Sequence, residues 1–571
     1  MQQRVLLASL LMCGVSTQAF AQDAGSLLRD KERAADLPPI PRSGDTDEAL
    51  PATTPPPTEA GETILIKTVT FSGKSSLLTS VQQSELAARV EGKTIGLAAI
   101  RDLAEAANTA LRQNGLLLAR AIVPPQDATG GTLTIEIVEA SVEDITFEYD
   151  KNVRVRKALL TEIANREINR QSLTKYDLEA ALLRMSDMPG VTARSRLAPG
   201  QAAGTSRVIV DVTQDSVVSG SLHADNFGSP STGRLQGHAQ LALADLTGDG
   251  DLTRLGLSVS EGQRYASASV AVPLSASELL ATFDYAYLFF ENVDDVGKAA
   301  GLEGDAHYAS MGLTYRAVRS RDHNLNLSAE LNGKVLKDDS TAGLLSDKRV
   351  YSGTLGLSGD NRDTALGGGI TQYSLSWTFG DLDLSNLPGA AFVDALTLKT
   401  QGKFHRVNLG AARLQKLPGD FSLLTQISGQ WASKNLDSSE SFSLGGPYGV
   451  RGWPVGEGRG DMGFTASVEL KYDVPVSEKL GSVQLSGFVD SGRVWINENS
   501  FGLPPVNACG CNEYTLSSVG AGASWKHKNF SLSASWSHGI GDNPGRSAFG
   551  GANADGSTRR HQFWLSGSIR F

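Results

Sequence analysis

Hydrophobic and small residues alternate with other residues along the end of the chain. From His561 to Phe571, one face carries Phe563, Leu565, Gly567 and Ile569, and the other carries Trp564, Ser566, Ser568 and Arg570. Successive side chains of a β-strand point to opposite faces, so one face of this segment can contact lipid while the other contacts water. The pattern predicts a β-strand that crosses a membrane.

Three preceding segments read as strands of the same kind, and their connections differ in length. The strands are 483–496, Tyr514–His527 and Phe530–Ile540. Two residues, 528–529, separate the last pair, whereas 497–513 and 541–560 are long polar connections. Bacterial outer-membrane barrels combine short periplasmic turns with long external loops. At about 22 residues per strand and connection, residues 216–571 hold about 16 strands, which predicts a closed transmembrane β-barrel in a mainly β protein.

The pattern before residue 216 is different and occurs twice. Residues 62–139 read as strand, helix, helix, strand, strand, and 140–215 repeat that order. A repeated supersecondary unit indicates a tandem array of two small α/β domains. An exposed edge of such a sheet can bind an extended peptide by strand addition, although the domains could also be mere spacers.

The N-terminal region contains three short segments. Residues 1–21 combine Arg4, an apolar stretch and the triplet Ala19-Phe20-Ala21, which is typical of a cleaved secretory signal peptide. Residues 22–36 contain good helix formers with charges of both signs, and 37–61 are rich in proline. Proline favours an extended chain, so we expect a short helix on a linker. A disordered N-terminus is the alternative.

Composition narrows the possible partners and the type of membrane protein. The chain has 571 residues and a net charge of −10, which disfavours binding to nucleic acid. It has no apolar run of about 18 residues, so it is not a helical membrane protein. The 61 glycines concentrate after residue 216, in the predicted hairpins and strands.

No pattern in the sequence predicts catalysis or a bound metal or cofactor. All eight histidines lie at or beyond His223 and form no recognisable set, and we find no nucleophile elbow, phosphate loop or H-E-x-x-H motif. We therefore expect no enzyme, metal site or cofactor. Cys509 and Cys511 either form a small disulfide or stay unpaired, and two sulfurs without a nearby histidine fall short of a zinc site.

Two motifs in the barrel region identify a family. GGPYGVRGWPVGEGRGDMG at 445–463 and GFVDSGRVW at 487–495 resemble motifs of the two-partner (type Vb) secretion transporters, the TpsB or haemolysin/haemagglutinin secretion and activation proteins, within the BamA-like superfamily. The two repeated domains resemble that family's POTRA domains, and 22–36 resembles its plug helix. The terminal Phe571 is similar to the sorting signal of outer-membrane barrels.

The resemblance implies specific roles for residues of the two motifs. A long loop at about 433–462 would fold back into the barrel, where Arg451 at its tip would pair with Asp490 on the wall. Gly452 would let this loop turn tightly. The other motif residues would support the loop: Val450, Trp453, Gly460, Asp461, Gly463, Phe488 and Gly492. The alternative for Arg451 alone is a solvated loop cation.

The resemblance also implies a function and a location. The POTRA domains, in the periplasm, would bind the N-terminal secretion domain of a large TpsA-type exoprotein in unfolded form, and the barrel in the outer membrane would translocate it to the surface. Membrane lipid and the barrel-assembly machinery would be further partners, and nucleic acid would not. The alternative function is that of a BamA/TamA-like assembly factor of outer-membrane proteins, which usually carries more POTRA domains.

Overall fold

The computed structural model describes residues 22–36, 63–274 and 278–571. The predicted signal peptide (1–21) and proline-rich linker (37–61) lie outside the described residues. Helix α1 (Ala24–Asp36) comes first, followed by two small α/β domains and a closed β-barrel. The mainly β fold class, with 16 barrel strands, POTRA-like domains and an N-terminal helix, is confirmed.

The first α/β domain contains two helices and five strands. The strands are β1 (Thr63–Ile66), β2 (Thr68–Gly73), β3 (Lys93–Gly96), β4 (Ala119–Ile122) and β5 (Thr132–Glu139), and the helices are α2 (Ser80–Ala88) and α3 (Leu97–Gln113). Strands β2, β5 and β4 form one sheet in that order, and β1 pairs separately with β3. The chain passes from one sheet to the other at Lys67 and Thr68, whose backbone N–H groups both donate to the Gly131 carbonyl.

The second α/β domain repeats the plan without the extra strand pair. Its elements are β6 (Ser141–Tyr149), α4 (Lys157–Glu167), α5 (Lys175–Ser186), β7 (Val191–Pro199) and β8 (Thr205–Gln214), with sheet order β6-β8-β7. A capping box between Thr174 and Asp177 begins α5. Buried aliphatic residues of both helices, such as Leu160 and Met185, pack on Val208 and Val210 of the central strand.

The barrel closes by pairing its first strand with its last. Every neighbouring pair is antiparallel, and β26 joins β9 through the register Ser566↔Asp225 to Arg570↔Ser221. The strands are β9 (Val218–Asp225), β10 (Gln236–Ala244), β11 (Leu252–Val259), β12 (Gln263–Pro273), β13 (Leu279–Glu291), β14 (Glu303–Arg319), β15 (His323–Ser340), β16 (Gly343–Asp363), β17 (Gly369–Asp383), β18 (Gly402–Lys416), β19 (Phe421–Ala432), β22 (Met462–Val474), β23 (Ser482–Trp495), β24 (Glu513–His527), β25 (Phe530–Ile540) and β26 (His561–Arg570).

Side chains on the outer face of the barrel are apolar and exposed. On β13, for example, Phe283 and Tyr285 are about half exposed, whereas the alternate residues Leu288 and Phe290 are buried in the interior. The C-terminal strand follows the predicted alternation, with Phe563 and Leu565 exposed and Trp564 buried. In the part of the chain that the structure describes, no helix is long and apolar enough to cross a membrane.

The ends of the barrel differ in the way the sequence predicts, with two exceptions. The end next to the α/β domains has only short turns, and the opposite end holds long connections that include α6 (Asp295–Ala300) and α7 (Pro388–Leu396). However, 260–262 and 341–342 are short connections at that opposite end. Antiparallel neighbours need only a tight turn, so a long external loop is an addition and not a requirement of the fold.

Turn geometry and ion pairs join the second α/β domain to the barrel. Asp245 and Asp251 in the β10–β11 turn accept hydrogen bonds from backbone N–H groups of that turn. Asp249 of the same turn pairs with Arg156 of the α/β domain. Glu278 pairs with Arg184, 3.2 Å away. These contacts place the second α/β domain at the end of the barrel that has the short turns.

Candidate functional site

The connection between β19 and β22, residues 433–461, folds into the barrel interior, and we call it the luminal loop. It contains two short strands, β20 (Phe442–Ser443) and β21 (Arg459–Gly460), which pair with each other. Its buried residues form one hydrophobic cluster with inward-facing residues of the wall: Phe442, Leu444, Val450 and Trp453 with Val494, Ile496, Tyr514 and Leu516. The loop thus occupies the interior as a packed structure.

The structure brings Arg451 of the luminal loop and Asp490 of β23 together. Arg451 Nη2 lies 2.8 Å from Asp490 Oδ1, and Arg451 Nε lies 3.0 Å from Asp490 Oδ2. This is the two-point geometry that a planar guanidinium forms with a carboxylate. The Asp490 side chain is 1% exposed, and the hydroxyls of Ser467 and Ser518 also donate to it. These hydrogen bonds satisfy the buried carboxylate.

Two further wall residues contact the same guanidinium. Arg451 Nη1 lies 2.8 Å from Glu469 Oε2 on β22, and the Arg451 Cζ atom is 3.3 Å from the ring centroid of Phe488. The cation therefore pairs with two carboxylates and lies on an aromatic face. The sequence motif includes Phe488 but not Glu469. The register could have found it, because Glu469 is directly opposite Phe488 in the β22–β23 pair.

The backbone around Arg451 is held by two nearby strands of the same part of the wall, β25 and β26. The Arg451 carbonyl accepts hydrogen bonds from Trp564 Nε1 on β26 at 2.8 Å and from the Ser537 hydroxyl on β25. Gly452 does not have the left-handed backbone that the tight-turn expectation requires. Instead, a Cβ at this position would lie 2.6 Å from Ser518 Cβ and 2.7 Å from the Gly539 nitrogen. Gly452 is required for close approach of the loop to the wall.

The other motif residues fix the base of the luminal loop. Trp453 Nε1 donates to the Ser517 carbonyl at 3.1 Å. Asp461 accepts backbone hydrogen bonds from Leu436 and Glu498, and so ties the loop to the β23–β24 connection. Glycines remove steric conflict with their neighbours at three points: Gly460 against Trp495, Gly463 against Phe442, and Gly492 against Leu444. Val450 is fully buried in the cluster described above.

Helix α1 lies in the barrel interior between the wall and the luminal loop. Its apolar residues Ala24, Leu27 and Leu28 pack against Leu288, Phe290, Ala306 and Leu336 of β13–β15. A Cβ on Gly25 would lie 2.8 Å from Ser438 Oγ of the luminal loop. The predicted helix at 22–36 is therefore present, and it fills the space that the luminal loop leaves open.

Polar contacts connect α1 to both of its neighbours. Asp30 pairs with Arg459 of the luminal loop at 2.9 Å. Lys334 of β15 lies 2.9 Å from both Glu32 of α1 and Glu440 of the luminal loop. One wall lysine thus links the helix and the loop.

A second wall lysine repeats this arrangement near the start of α1. Lys348 Nζ on β16 lies 3.2 Å from Asp23 and 2.8 Å from Asp437 of the luminal loop. Asp338 of β15 accepts a hydrogen bond from the Ala24 backbone N–H at 2.8 Å. The sequence does not reveal these partners, because the wall lysines are separated from α1 by about half of the chain.

The structure places the remaining predicted residues away from this centre. Cys509 and Cys511 form a disulfide in the β23–β24 connection, which is one of the two alternatives drawn from the sequence. Phe571 follows β26, and its backbone exchanges two hydrogen bonds with Gly220 of β9. A Cβ on Gly220 would collide with the Phe571 ring, so glycine makes room there for the terminal aromatic residue.

Comparisons with known proteins agree with this architecture. Residues 204–511, more than half of the chain, match the family of the haemolysin secretion/activation protein ShlB/FhaC/HecB, and residues 64–140 match the POTRA domain of ShlB type. The solved structure of CdiB from Escherichia coli aligns with 97% of this chain and 100% of its own, at a TM-score of 0.67 and 18% identity. BamA from Haemophilus ducreyi lacking POTRA domains 1–3 aligns less well, at a TM-score of 0.52 and 15% identity.

Curated relatives include transporters of the outer membrane. The heme/hemopexin transporter protein HuxB of Haemophilus influenzae is 28% identical over 83% of this chain and 81% of its own length. The outer membrane transporter CdiB of Dickeya dadantii is 26% identical over 74% of this chain and 75% of its own. These matches confirm the prediction of a two-partner secretion transporter in the outer membrane. The chain belongs to the family of the haemolysin secretion/activation protein ShlB/FhaC/HecB.

Proposed function

We propose that this transporter exports one large TpsA-type exoprotein in unfolded form through the barrel, after α1 has left the interior. The observation that carries the proposal is the way α1 is held. Among the side chains of α1 that the structure describes, Ala24, Leu27 and Leu28 make its apolar contact, and Glu32 and Asp30, which form ion pairs, remain partly exposed to water. The proline-rich sequence 37–61 would allow the helix to move into the periplasm while it remains attached.

Arg451 and Asp490 would hold the luminal loop in one conformation on the barrel wall. The pair lies among residues of five neighbouring strands, β22 to β26, so its loss would leave Asp490 buried without a cation and free the loop tip. In this proposal the pair sets the shape of the path along which the exoprotein passes. The residues Val450, Gly452, Trp453, Gly460, Asp461, Gly463, Phe488 and Gly492 support that arrangement.

The two α/β domains, with proposed boundaries 62–139 and 140–215, would bind the exoprotein in the periplasm. Each three-stranded sheet has two edge strands, and the edge strand β4 of the first sheet ends at the exposed Ile122. In the second domain, β7 is an edge strand of nine residues that carries the exposed Leu197. An extended segment of the exoprotein could add to these edges through backbone hydrogen bonds.

The remaining parts of the proposal concern chemistry and further partners. The chain would act as a transporter and not as an enzyme, without nucleic acid and without an organic cofactor. Folding of the exoprotein outside the cell would drive export, since the chain contains no nucleotide-binding motif. Phe571 would serve as the sorting signal through which the barrel-assembly machinery inserts the barrel into outer-membrane lipid.

The proposal is tested by export of a TpsA-type exoprotein, which is first sought in the reading frames next to that of this chain. The two proteins are produced together, and the exoprotein is measured at the surface and in the medium. We expect export with the full chain, none without the chain, and none when the exoprotein lacks its N-terminal secretion domain. Export that persists without the chain would contradict the proposal.

A further inference from the structure

Three potential metal ligands meet on the interior face of the first barrel hairpin. Asp225 Oδ2 lies 2.8 Å from His223 Nε2 and 3.1 Å from His238 Nε2, and the three ligand atoms all lie within 4.8 Å of one another. The Asp225 side chain is 5% exposed, while the histidines are partly exposed. The sequence predicts no metal site because the histidines look scattered. The strand register brings them together, since His223 and His238 are directly opposite each other in β9 and β10.

The strand geometry fixes these side chains in one place. His223 and Asp225 are two residues apart on β9 and so share a face, and His238 joins them across the pair. Asp225 Oδ1 also accepts the Phe227 backbone N–H at 2.9 Å, which orients the carboxylate with its other oxygen toward both imidazoles. Rigid strands and an oriented carboxylate are the support that a metal site needs.

We propose that His223, Asp225 and His238 form a binding site for a divalent transition metal of the zinc class. Two imidazoles and one carboxylate are the protein ligands of one known type of zinc site, in which the fourth position is left to water. Ligand atoms around a tetrahedral zinc ion lie about 3.3 Å apart, so the observed separations require only small side-chain movements. Imidazole nitrogen selects such metals over calcium and magnesium.

The plug helix places a competing cation next to this site. Lys31 Nζ of α1 lies 3.1 Å from Gln236 Oε1 and 3.1 Å from Ser258 Oγ. Gln236 is directly opposite Asp225, and Ser258 is directly opposite His238. With neutral imidazoles, the cluster carries one negative charge that attracts Lys31, whereas a bound divalent ion would repel it. Metal binding and the presence of α1 in the barrel interior therefore oppose each other. By thermodynamic linkage, each lowers the affinity of the other by the same factor.

The test uses the full mature chain, purified in detergent without an affinity tag and freed of metal by a chelator. Calorimetric titration with Zn²⁺ is expected to show one site per chain, and Co²⁺ is expected to give the visible absorption of a low-coordinate nitrogen and oxygen site. His238→Ala should weaken Zn²⁺ binding by at least tenfold. The matched control is His405→Ala, which removes an exposed histidine of β18. Equal Zn²⁺ binding by His238→Ala and the unaltered chain, or no Co²⁺ absorption with the unaltered chain, would overturn the site.

A separate variant tests whether Lys31 of α1 competes with Zn²⁺ at the site. Lys31→Met should raise the Zn²⁺ affinity by about fivefold or more, because it removes the competing charge while the three ligands stay in place. Lys526→Met, at an exposed lysine near the periplasmic end of β24, changes the net charge equally and should leave the affinity unchanged. Equal affinities for Lys31→Met and Lys526→Met would refute the competition. These titrations involve no exoprotein, so their outcome is separate from that of the export experiment.

Discussion

Asp30 of helix α1 and Arg459 of the luminal loop form an ion pair inside the barrel. Arg459 Nη2 lies 3.0 Å from Asp30 Oδ1 and 2.9 Å from Asp30 Oδ2. Both side chains retain about one fifth of their exposure, so water can reach the pair and replace it. Helix α1 and the luminal loop are thus joined to each other as well as to the wall.

Breaking this pair should favour release of α1. Asp30→Asn removes one charge from a partly hydrated ion pair, which should weaken the attachment of α1 to the luminal loop by about 1 kcal/mol. The fraction of barrels from which α1 has left should then rise about fivefold. Single-channel recording in a planar bilayer measures that fraction. Asp305→Asn is the control, because that partly exposed wall carboxylate pairs with His307 and contacts neither α1 nor the loop. If Asp30→Asn and the control give the same fraction of open channels, the Asp30–Arg459 pair does not help to hold α1 in the barrel.

Loss of Lys334 should affect stability and the release of α1 more than loss of the Asp30 pair. Lys334→Met removes one of the two cations that pair with Glu440, which is 2% exposed, and leaves Arg406 as the other. The cost should therefore stay below the about 3–5 kcal/mol of a buried charge left with no partner. We expect a lower thermal unfolding temperature together with a large rise in open probability. Lys337→Met, at an exposed position of the same strand, should change neither quantity. An unfolding temperature that Lys334→Met leaves unaltered would rule out the linking role.

Arg451 should be needed for export and not for folding of the barrel. Arg451→Ala removes the two-point pair with Asp490 and the contact with Glu469, while all barrel strands keep their backbone pairing. We expect a folded barrel by circular dichroism and at least a tenfold loss of export. Arg451→Lys should remain impaired, because an ammonium cannot bind both Asp490 oxygens in the same plane.

The control for Arg451 lies on the same strand as Asp490. Arg493→Ala removes the cation of a half-exposed pair with Glu513, and export should continue. Normal export by Arg451→Ala, or an equal loss in both variants, would contradict the special position of Arg451.

Close packing at Gly452 offers a change that leaves every charge in place. Gly452→Ala would put a Cβ 2.7 Å from the Gly539 backbone nitrogen, which cannot move without disturbing β25. We expect the loop tip to be displaced, with a cost of about 1–3 kcal/mol and reduced export. Gly487→Ala serves as the control, since a Cβ there meets nothing within 4 Å. Equal export by the two variants would show that the close approach has no role.

The joint between the second α/β domain and the barrel should limit the motion of that domain. Asp187, at the end of α5, pairs with Arg319 at 2.7 Å and with Arg316 at 3.4 Å on β14. Asp187→Asn should increase amide hydrogen exchange around the periplasmic turn 320–322. Glu148→Gln disrupts a pair with Arg196 inside the domain and should leave that turn unchanged. If amide hydrogen exchange at residues 320–322 is the same in both variants, the Asp187 pairs do not limit the motion of the domain.

The sequence predicts the barrel well because its strands have a period of two and its C-terminal connections differ clearly in length. It predicts the position of Arg451 and Asp490 only through motif resemblance. The partners of α1 could not be predicted, since Lys334 and Lys348 are ordinary strand residues whose roles depend on which helix enters the interior. Glu469 and His238 could have been predicted if the strand register had been known. The register places Glu469 opposite Phe488 and His238 opposite His223.

The central claim, that the exoprotein passes through the interior only after α1 leaves it, is tested most directly by a removable tether. Gly25→Cys combined with Ser438→Cys places two thiols at a contact where a Cβ on Gly25 lies 2.8 Å from Ser438 Oγ. Export of the exoprotein is measured in cells before and after addition of a reductant, with the unaltered chain and both single variants treated alike. Export should stop when the tether is oxidised and resume when it is reduced. Export at the unaltered rate through the oxidised, tethered barrel would contradict the claim.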